Sequence, residues 1–334
     1  MRRLKIYFTD FPDGFNLERN LFADILRKKF ELEVTAADPD ILIYSNYGHT
    51  YLEYDCLRVF FTGENVRPDF SLCDFAFSFD YLEDPRNYRL PLYVFFGDMH
   101  RLTEAKDPDK ILAEKTRFCN FIYSNPSARE RIEFFHLLNE YKRVDSAGKV
   151  ENNMGYVLDW GPGGNVGKLE FIRSYKFTMA FENASHPGYT TEKLVQPMQV
   201  NSLAIHWGNP LVDRDFNTKS FINVREHSSF NAAVDAIIKI DQDDVLYKRY
   251  MAEPYFPDNK VPENLLSVNI LNRFSDIIDQ IGRLRPVSST LKGKLGAKCE
   301  QIKPYMLQGQ RVIRNGLSAT QACFRSFGRG SVVE

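Results

Sequence analysis

The stretch "YKFTMAFENASHPGYTTEKLVQPMQVNSLAIHWGNP", Tyr175 to Pro210, decides the fold. It opens on an apolar run of strand length and closes on another, with a polar loop and a helix start between them. Thr190 or Thr191 can cap that helix, and Glu192 in its first turn complements the positive helix end. Lys193 does not. A cation there costs a few tenths of a kcal/mol unless an anion sits at the same helix end, where backbone N–H groups already favour one. The competing reading is a solvated surface charge.

Outward from this stretch, strand-like and helical segments alternate. "LKIYFTDF" is followed by the helical pattern "LERNLFADILRKKF", capped by Asn16, with Leu17, Leu21, Phe22, Ile25 and Leu26 on one face. "ELEVTA", "DILIYS", "LRVFFTGEN" and "CDFAFSFD" continue as strands. A second run starts at "FCNFIYSNPS", passes through the helix "ARERIEFFHLLNEYKR", the quoted stretch and "SFINV", and closes with three helical patterns ending in "PENLLSVNILNRFSDIIDQI". This alternation predicts two Rossmann-like α/β units with open, mostly parallel sheets, residues 1–112 and 113–282. From 283 to 334 the composition turns basic: Arg283, Arg285, Lys292, Lys294, Lys298, Lys303, Arg311, Arg314, Arg325 and Arg329 face only Glu300 and Glu334. This tail reads either as a solvated segment or as one drawn to anionic lipid at the cytoplasmic membrane surface.

A chain of 334 residues with 43% hydrophobic content, 27 Phe and 17 Tyr can fill two ordinary cores. Its net charge of −1 lacks the basic footprint of a nucleic-acid binder, so an anion would have to be held locally. The cysteines (Cys56, Cys73, Cys119, Cys299, Cys323) are odd in number and scattered, with no C-x-x-C. They argue against a zinc site or a disulfide framework and for reduced thiols in the cytoplasm. Lys5 and Asp10 interrupt any apolar run of signal-peptide length, and no run approaches the roughly twenty residues of a membrane span. The expectation is a soluble catalytic body.

Ligands of open α/β sheets bind outside the carboxyl ends of the strands. "RVFFT" runs into Gly63, Glu64 and Asn65; "FIYS" into Asn125 and Pro126; "FTMAF" into Glu182 and Asn183; "LAIHW" into Gly208 and Asn209. With Asn125 as cap and Pro126 at the first helical position, Arg129 and Arg131 fall early in a helix. Arg131 and Lys193 could then clamp one diphosphate, the alternative being that both are solvated. Glu64 can serve as a general base facing the cleft between the units, or it can hydrogen-bond its own turn. Glu182 reads as a partly buried acid paired with Lys176 or Lys193. The P-loop and G-x-G-x-x-G patterns are missing, which disfavours a nicotinamide or flavin cofactor. "DPD", "DRD" and "DQDD" sit in turn or capping contexts rather than as metal pairs. Trp160, Trp207 and the dispersed histidines read as packing or polar surface.

"YKFTMAFENASHPGYTTEKL" followed by "AIHWGNP" resembles the donor-binding motif of the α1,3/4-fucosyltransferases, glycosyltransferase family ten of bacterial type. "RVFFTGENVRPDFSLCDFAFSFDYL" with "YRLPLY", and "YSNPSARERIEFFHLLNEY", resemble that family's first-domain and S-N-P motifs. The resemblance extends over most of Leu57 to Val224 and implies a GT-B fold: an acceptor domain, then a GDP-fucose domain. By motif position it implies Glu64 as general base, Arg131 and Lys193 on the diphosphate, Tyr189 and Glu192 on the ribose or fucose, and Asn183 fixing the loop or donor. It implies inverting transfer of L-fucose to the GlcNAc of an N-acetyllactosamine-like, Lewis-antigen-type acceptor. No metal is essential on this reading, with Mn²⁺ or Mg²⁺ at most stimulating. The other readings are a GT-B transferase for a different nucleotide sugar and a non-catalytic carbohydrate-binding protein. Acceptor determinants are expected near Tyr47, His49 and "DYLEDPRNYR". Pro197, inside the helix after "TEK", is expected to kink or end it.

Overall fold

The computed structural model describes residues 1–158 and 164–302; Trp160, Cys323 and the tail from Lys303 onward lie outside them. The first half forms a sheet of six strands: β1 (Arg2–Thr9), β2 (Phe30–Val34), β3 (Ile41–Tyr44), β4 (Leu57–Phe61), β5 (Phe75–Ser78) and β6 (Asn87–Arg89). They pair in the order β2-β1-β3-β4-β5-β6, every neighbour parallel. The second half forms a five-stranded sheet from β7 (Arg117–Phe121), β8 (Val144–Ser146), β9 (Tyr175–Phe181), β10 (Leu203–Trp207) and β11 (Ile222–Asn223). Its order is β11-β10-β9-β7-β8, again all parallel. All seven residues of β9 are buried, which is why its sequence runs apolar instead of alternating. Two open, all-parallel α/β units make the GT-B architecture that the resemblance implied.

The helices that matter for the site are α1 (Leu21–Leu26), α2 (Tyr93–Phe96), α3 (Pro108–Glu114), α4 (Arg129–Tyr141), α5 (Gly164–Arg173), α6 (Glu192–Gln199), α7 (Phe230–Gln242), α8 (Asp244–Ala252) and α9 (Ser267–Ile278). Helix α1 starts later than expected. Its cap is Asn20, which accepts the Ala23 amide at 3.0 Å, while Asn16 closes a separate turn through the Glu18 and Arg19 amides. In α6 the chain continues helically through Pro197 and stops two residues later. The proline carbonyl then accepts the Val200 and Ser202 amides, so the helix is ended rather than kinked.

The chain closes by returning to the first sheet. Helix α9, read from sequence with the second unit, stacks Phe274 on Phe77 (ring centroids 4.4 Å) and sets it edge-on to Phe22. Each such fully buried aromatic contributes roughly 2 kcal/mol of hydrophobic stabilisation. Helix α6 adds Leu194, Val195 and Met198 to the same apolar cluster, so it is packed directly against the first unit. Polar links reinforce this joint. Gln199 donates to the Phe96 carbonyl at 2.9 Å and accepts the Asp98 amide at 3.0 Å. Arg89 grips Asp215 through two bonds of 2.5 and 2.8 Å.

Candidate active site

At the end of β9, Glu182 is fully buried and its carboxylate organises the following loop. It accepts the Thr191 amide at 2.7 Å, and the Thr191 hydroxyl lies 2.8 Å from Oε2 and 3.0 Å from Oε1. Thr191 occupies the cap position of α6, but its hydroxyl is spent on Glu182 rather than on a helix amide. Lys193 lies over this arrangement. Its Nζ is 3.0 Å from Thr191 Oγ1, 3.3 Å from Glu192 Oε1 and 3.5 Å from Glu182 Oε2. Of the two sequence-derived partners for Glu182, the structure selects Lys193; Lys176 instead bonds the Asp241 carbonyl and pairs with Asp241 and Asp244.

The electrostatics are tightly coupled. Burial alone would lower the Lys193 pKa, yet Glu192 and Glu182 raise it well above the ordinary lysine value. Burial alone would raise the Glu192 pKa, yet Lys193 and then Lys168 hold it at about 2. Burial raises the Glu182 carboxyl above the usual range against the pull of Lys193. Lys168, on α5, is buried and pushed down to about 8, with Glu192 opposing the shift. Sequence reading missed Lys168. Its signal is faint, a lysine in a helix whose partners come from a segment more than twenty positions away.

Arg131 is not the solvated charge its alternative reading allowed: it is 1% exposed. The helix carrying it begins at Arg129, with Ala128 at the cap position, because Asn125 spends its side chain on the Ser127 amide in a turn before the helix. One guanidinium nitrogen donates to the Phe181 carbonyl at 3.1 Å and to Asn183 Oδ1 at 2.7 Å. The guanidinium lies 3.8 Å over the Tyr123 ring, while its Nε is buried without a hydrogen-bond partner. Among the described residues no carboxylate pairs with it. A buried cation met only by dipoles and a ring is expensive unless a ligand anion completes it. Arg131, Lys168 and Lys193 set three positive charges around two carboxylates, an excess of one that favours an anion at the α6 end.

The loop between β9 and α6 reaches the first unit. Gly188 has φ +82°, and a Cβ there would lie 2.4 Å from the Phe79 carbonyl oxygen, so only glycine allows this approach. Tyr189 is buried with its ring 5.1 Å from Phe79. Asn209, which sequence reading named at a strand end without giving it a role, ties the loop down: it accepts the Gly188 and Leu211 amides and donates to Thr190 Oγ1 at 3.0 Å. Trp207 stacks on Phe181, a packing role.

Glu64 lies in the first unit, on the turn after β4. Its carboxylate accepts the Tyr47 hydroxyl at 3.0 Å, instead of bonding its own turn, and its amide donates to Thr62 Oγ1 at 3.0 Å. Tyr189 feels Glu64 as well: burial raises the phenol pKa well above the ordinary value, and the charges of Glu182 and Glu64 add to the rise. The structure thus brings Arg131, Asn183, Tyr189, Glu192 and Lys193 together, with Glu64 coupled to them through Tyr189. Much of "DYLEDPRNYR" does other work. Tyr81 lies between Arg89 and Arg214, Arg89 holds Asp215, and Tyr88 donates to the Asn264 carbonyl, all at the joint between units. Each discounted pair has an aspartate occupied structurally: Asp40 accepts the Lys5 amide, Asp215 holds Arg89, Asp241 pairs with Lys142, and Asp243 caps α8. Among the described residues no three His, Cys, Asp or Glu side chains converge in a metal-ligand group.

Two family models together match most of the chain. The model of the alpha-(1,3)-fucosyltransferase FucT N-terminal domain matches residues 6–96, and that of the glycosyltransferase family 10 (fucosyltransferase) C-terminal region matches residues 112–253. The chain is 34% identical to alpha-(1,3)-fucosyltransferase FucT of Helicobacter pylori over 54% of its own length and 43% of the relative's. It is 31% identical to putative fucosyltransferase R654 of Acanthamoeba polyphaga mimivirus over 66% of its length and 38% of that protein. The chain therefore spans less than half the length of these curated relatives. A crystal structure of an alpha1,3-fucosyltransferase with GDP-fucose superposes with a TM-score of 0.71 at 27% identity, covering 86% of this chain and 93% of that one.

Proposed function

The chain belongs to glycosyltransferase family 10, and from that premise we propose that it transfers L-fucose from GDP-fucose to a glycan hydroxyl with inversion at the anomeric carbon. The observation that carries the reading is the buried Arg131, which has no carboxylate partner, beside Lys193 at the start of α6. Such a cationic pocket suits a nucleoside diphosphate. Tyr189 and Glu192, both coupled to Lys193, are assigned to the ribose or fucose, and Asn183, bonded to Arg131, to fixing the loop or donor. The similarity to a structure holding GDP-fucose supports the choice of donor.

Glu64 is assigned as the general base. The acceptor hydroxyl gives its proton to the Glu64 carboxylate as its oxygen bonds to the fucose anomeric carbon, and the bond from that carbon to the diphosphate oxygen breaks. Arg131 and Lys193 balance the negative charge that develops on the departing GDP. The acceptor is read as the GlcNAc of an N-acetyllactosamine-like glycan, linked α1,3. The test is purified protein offered GDP-fucose and, in parallel, other nucleotide sugars. Turnover of another donor with none of GDP-fucose would transfer the reading to that sugar, and ligand binding without turnover of any would leave a binding protein.

The basic tail is assigned to the inner face of the cytoplasmic membrane. Its described start, the helix 291–302, exposes Leu291, Leu295 and Ile302 among Lys292, Lys294 and Lys298, the pattern of an interfacial helix. Co-sedimentation with phosphatidylglycerol vesicles, lost at high salt and absent with phosphatidylcholine, is the expected outcome. Equal recovery with both lipids would contradict it.

A further inference from the structure

The Glu64 carboxylate is held by a neighbouring loop. Tyr47, after β3, donates its hydroxyl to Glu64 Oε1 at 3.0 Å. That loop is itself anchored at the end of β1. The Asp10 carboxylate accepts the Thr50 and Tyr51 amides at 3.0 and 2.8 Å, and its carbonyl accepts the Tyr47 amide at 3.0 Å. Gly48 passes so close beneath Asp10 that a Cβ would lie 2.3 Å from Oδ1. A second link runs through Thr62, whose hydroxyl donates to Asn46 Oδ1 and accepts the Glu64 amide. Adjacent residues of one pinned loop therefore bear on Glu64 at both ends, Asn46 on its amide by way of Thr62 and Tyr47 directly on its carboxylate.

We propose that Tyr47 is a positioning residue for the transfer reaction, fixing the Glu64 carboxylate; this rests on Glu64 being the base. The hydroxyl donated to one carboxylate oxygen holds the side-chain rotamer, leaving the other oxygen to meet the acceptor hydroxyl. Packing does not explain Tyr47, since it is 49% exposed. The phenol itself is pushed up to about 12 by partial burial and by Glu64, so it remains a donor throughout the working pH range. The other ionisable groups around the turn do not compete for this role. Tyr189 faces it from the second unit as a neutral phenol, and Arg67 on the same turn is taken up by Asp80 and Asn65.

The test is Tyr47→Phe in the full chain, measuring kcat and acceptor KM with GDP-fucose and N-acetyllactosamine, and GDP affinity by calorimetry. The expected result is a fall in kcat of about tenfold, less than the roughly hundredfold cost of an ångström's misplacement. Acceptor KM and GDP affinity should stay unchanged. A higher acceptor KM with kcat unchanged would make Tyr47 an acceptor contact and overturn the proposal. Unchanged kinetics, or a loss of GDP affinity, would overturn it as well. Glu64→Gln, run in parallel, separates the two claims. If that variant keeps its turnover, the base reading fails and this proposal with it. If it is inactive while Tyr47→Phe keeps the parent's kcat, only the positioning claim fails.

Discussion

Lys193 stands against the helix dipole without being a surface charge. Glu192 and Glu182 hold it charged, and the buried Arg131 keeps one nitrogen without a hydrogen-bond partner. The rule-breaking residue was legible from its place in the first turn. Its carboxylate partner Glu182 was only half legible, since two lysines competed for it on paper. Lys168 was invisible, because nothing local to a helical lysine reveals that it points at a distant glutamate. Residue-scale chemistry away from the site gives a pH prediction. His206 is fully buried in β10, bonded to the Ala180 carbonyl, and burial pushes its pKa down to about 4. An unfolded histidine takes up its proton near 6.5. Between those values the unfolded chain binds the proton and the folded chain does not, so the stability present above pH 6.5 is lost as pH falls towards 4, by about 3 kcal/mol. His206→Leu should flatten that part of the stability profile measured by urea unfolding. A slope equal to the parent's would refute the assignment.

The elements themselves were the most legible level. Each quoted strand pattern became a strand, because buried parallel strands read as short apolar runs. Helix starts were less legible. Asn16 and Asn125 both look like caps, yet each closes a turn upstream of its helix, because an Asx turn and a helix cap use the same side-chain chemistry. The short strand β8 carries little pattern in three residues and was not anticipated. The loop from Glu182 to Thr191 is where element structure becomes function. Its course depends on Gly188, so Gly188→Ala should weaken GDP binding at least about tenfold, because the strained backbone and the clash with Phe79 push Tyr189 and the α6 start out of place. Calorimetry with GDP, alongside thermal melting, checks this. An unchanged Kd would mean that the loop's seat against the first unit does not matter to the donor pocket.

At the scale of the whole molecule, two sheets are joined by apolar packing of α6, by the return of α9 and by the Arg89–Asp215 pair. Alternating patterns foretold two units, but not that the last helix crosses back, since an amphipathic helix does not say which sheet it will cover. The joint fixes the place of Glu64 relative to Tyr189. Asp215→Asn would leave the Arg89 charge buried beside a neutral amide, which should cost about 3–5 kcal/mol and lower the urea midpoint; an unmoved midpoint would show the pair to be dispensable. The central claim is that the first unit supplies the base and the second supplies the cations. It is tested most directly by comparing Glu64→Gln and Lys193→Ala for GDP-fucose affinity and for transfer to N-acetyllactosamine, with product linkage read by NMR. The account predicts that the parent makes an α1,3-linked product. Glu64→Gln should bind donor normally and turn over at least about a hundredfold more slowly, and Lys193→Ala should bind GDP weakly. Equal loss of donor affinity in both, or full turnover by Glu64→Gln, would contradict it.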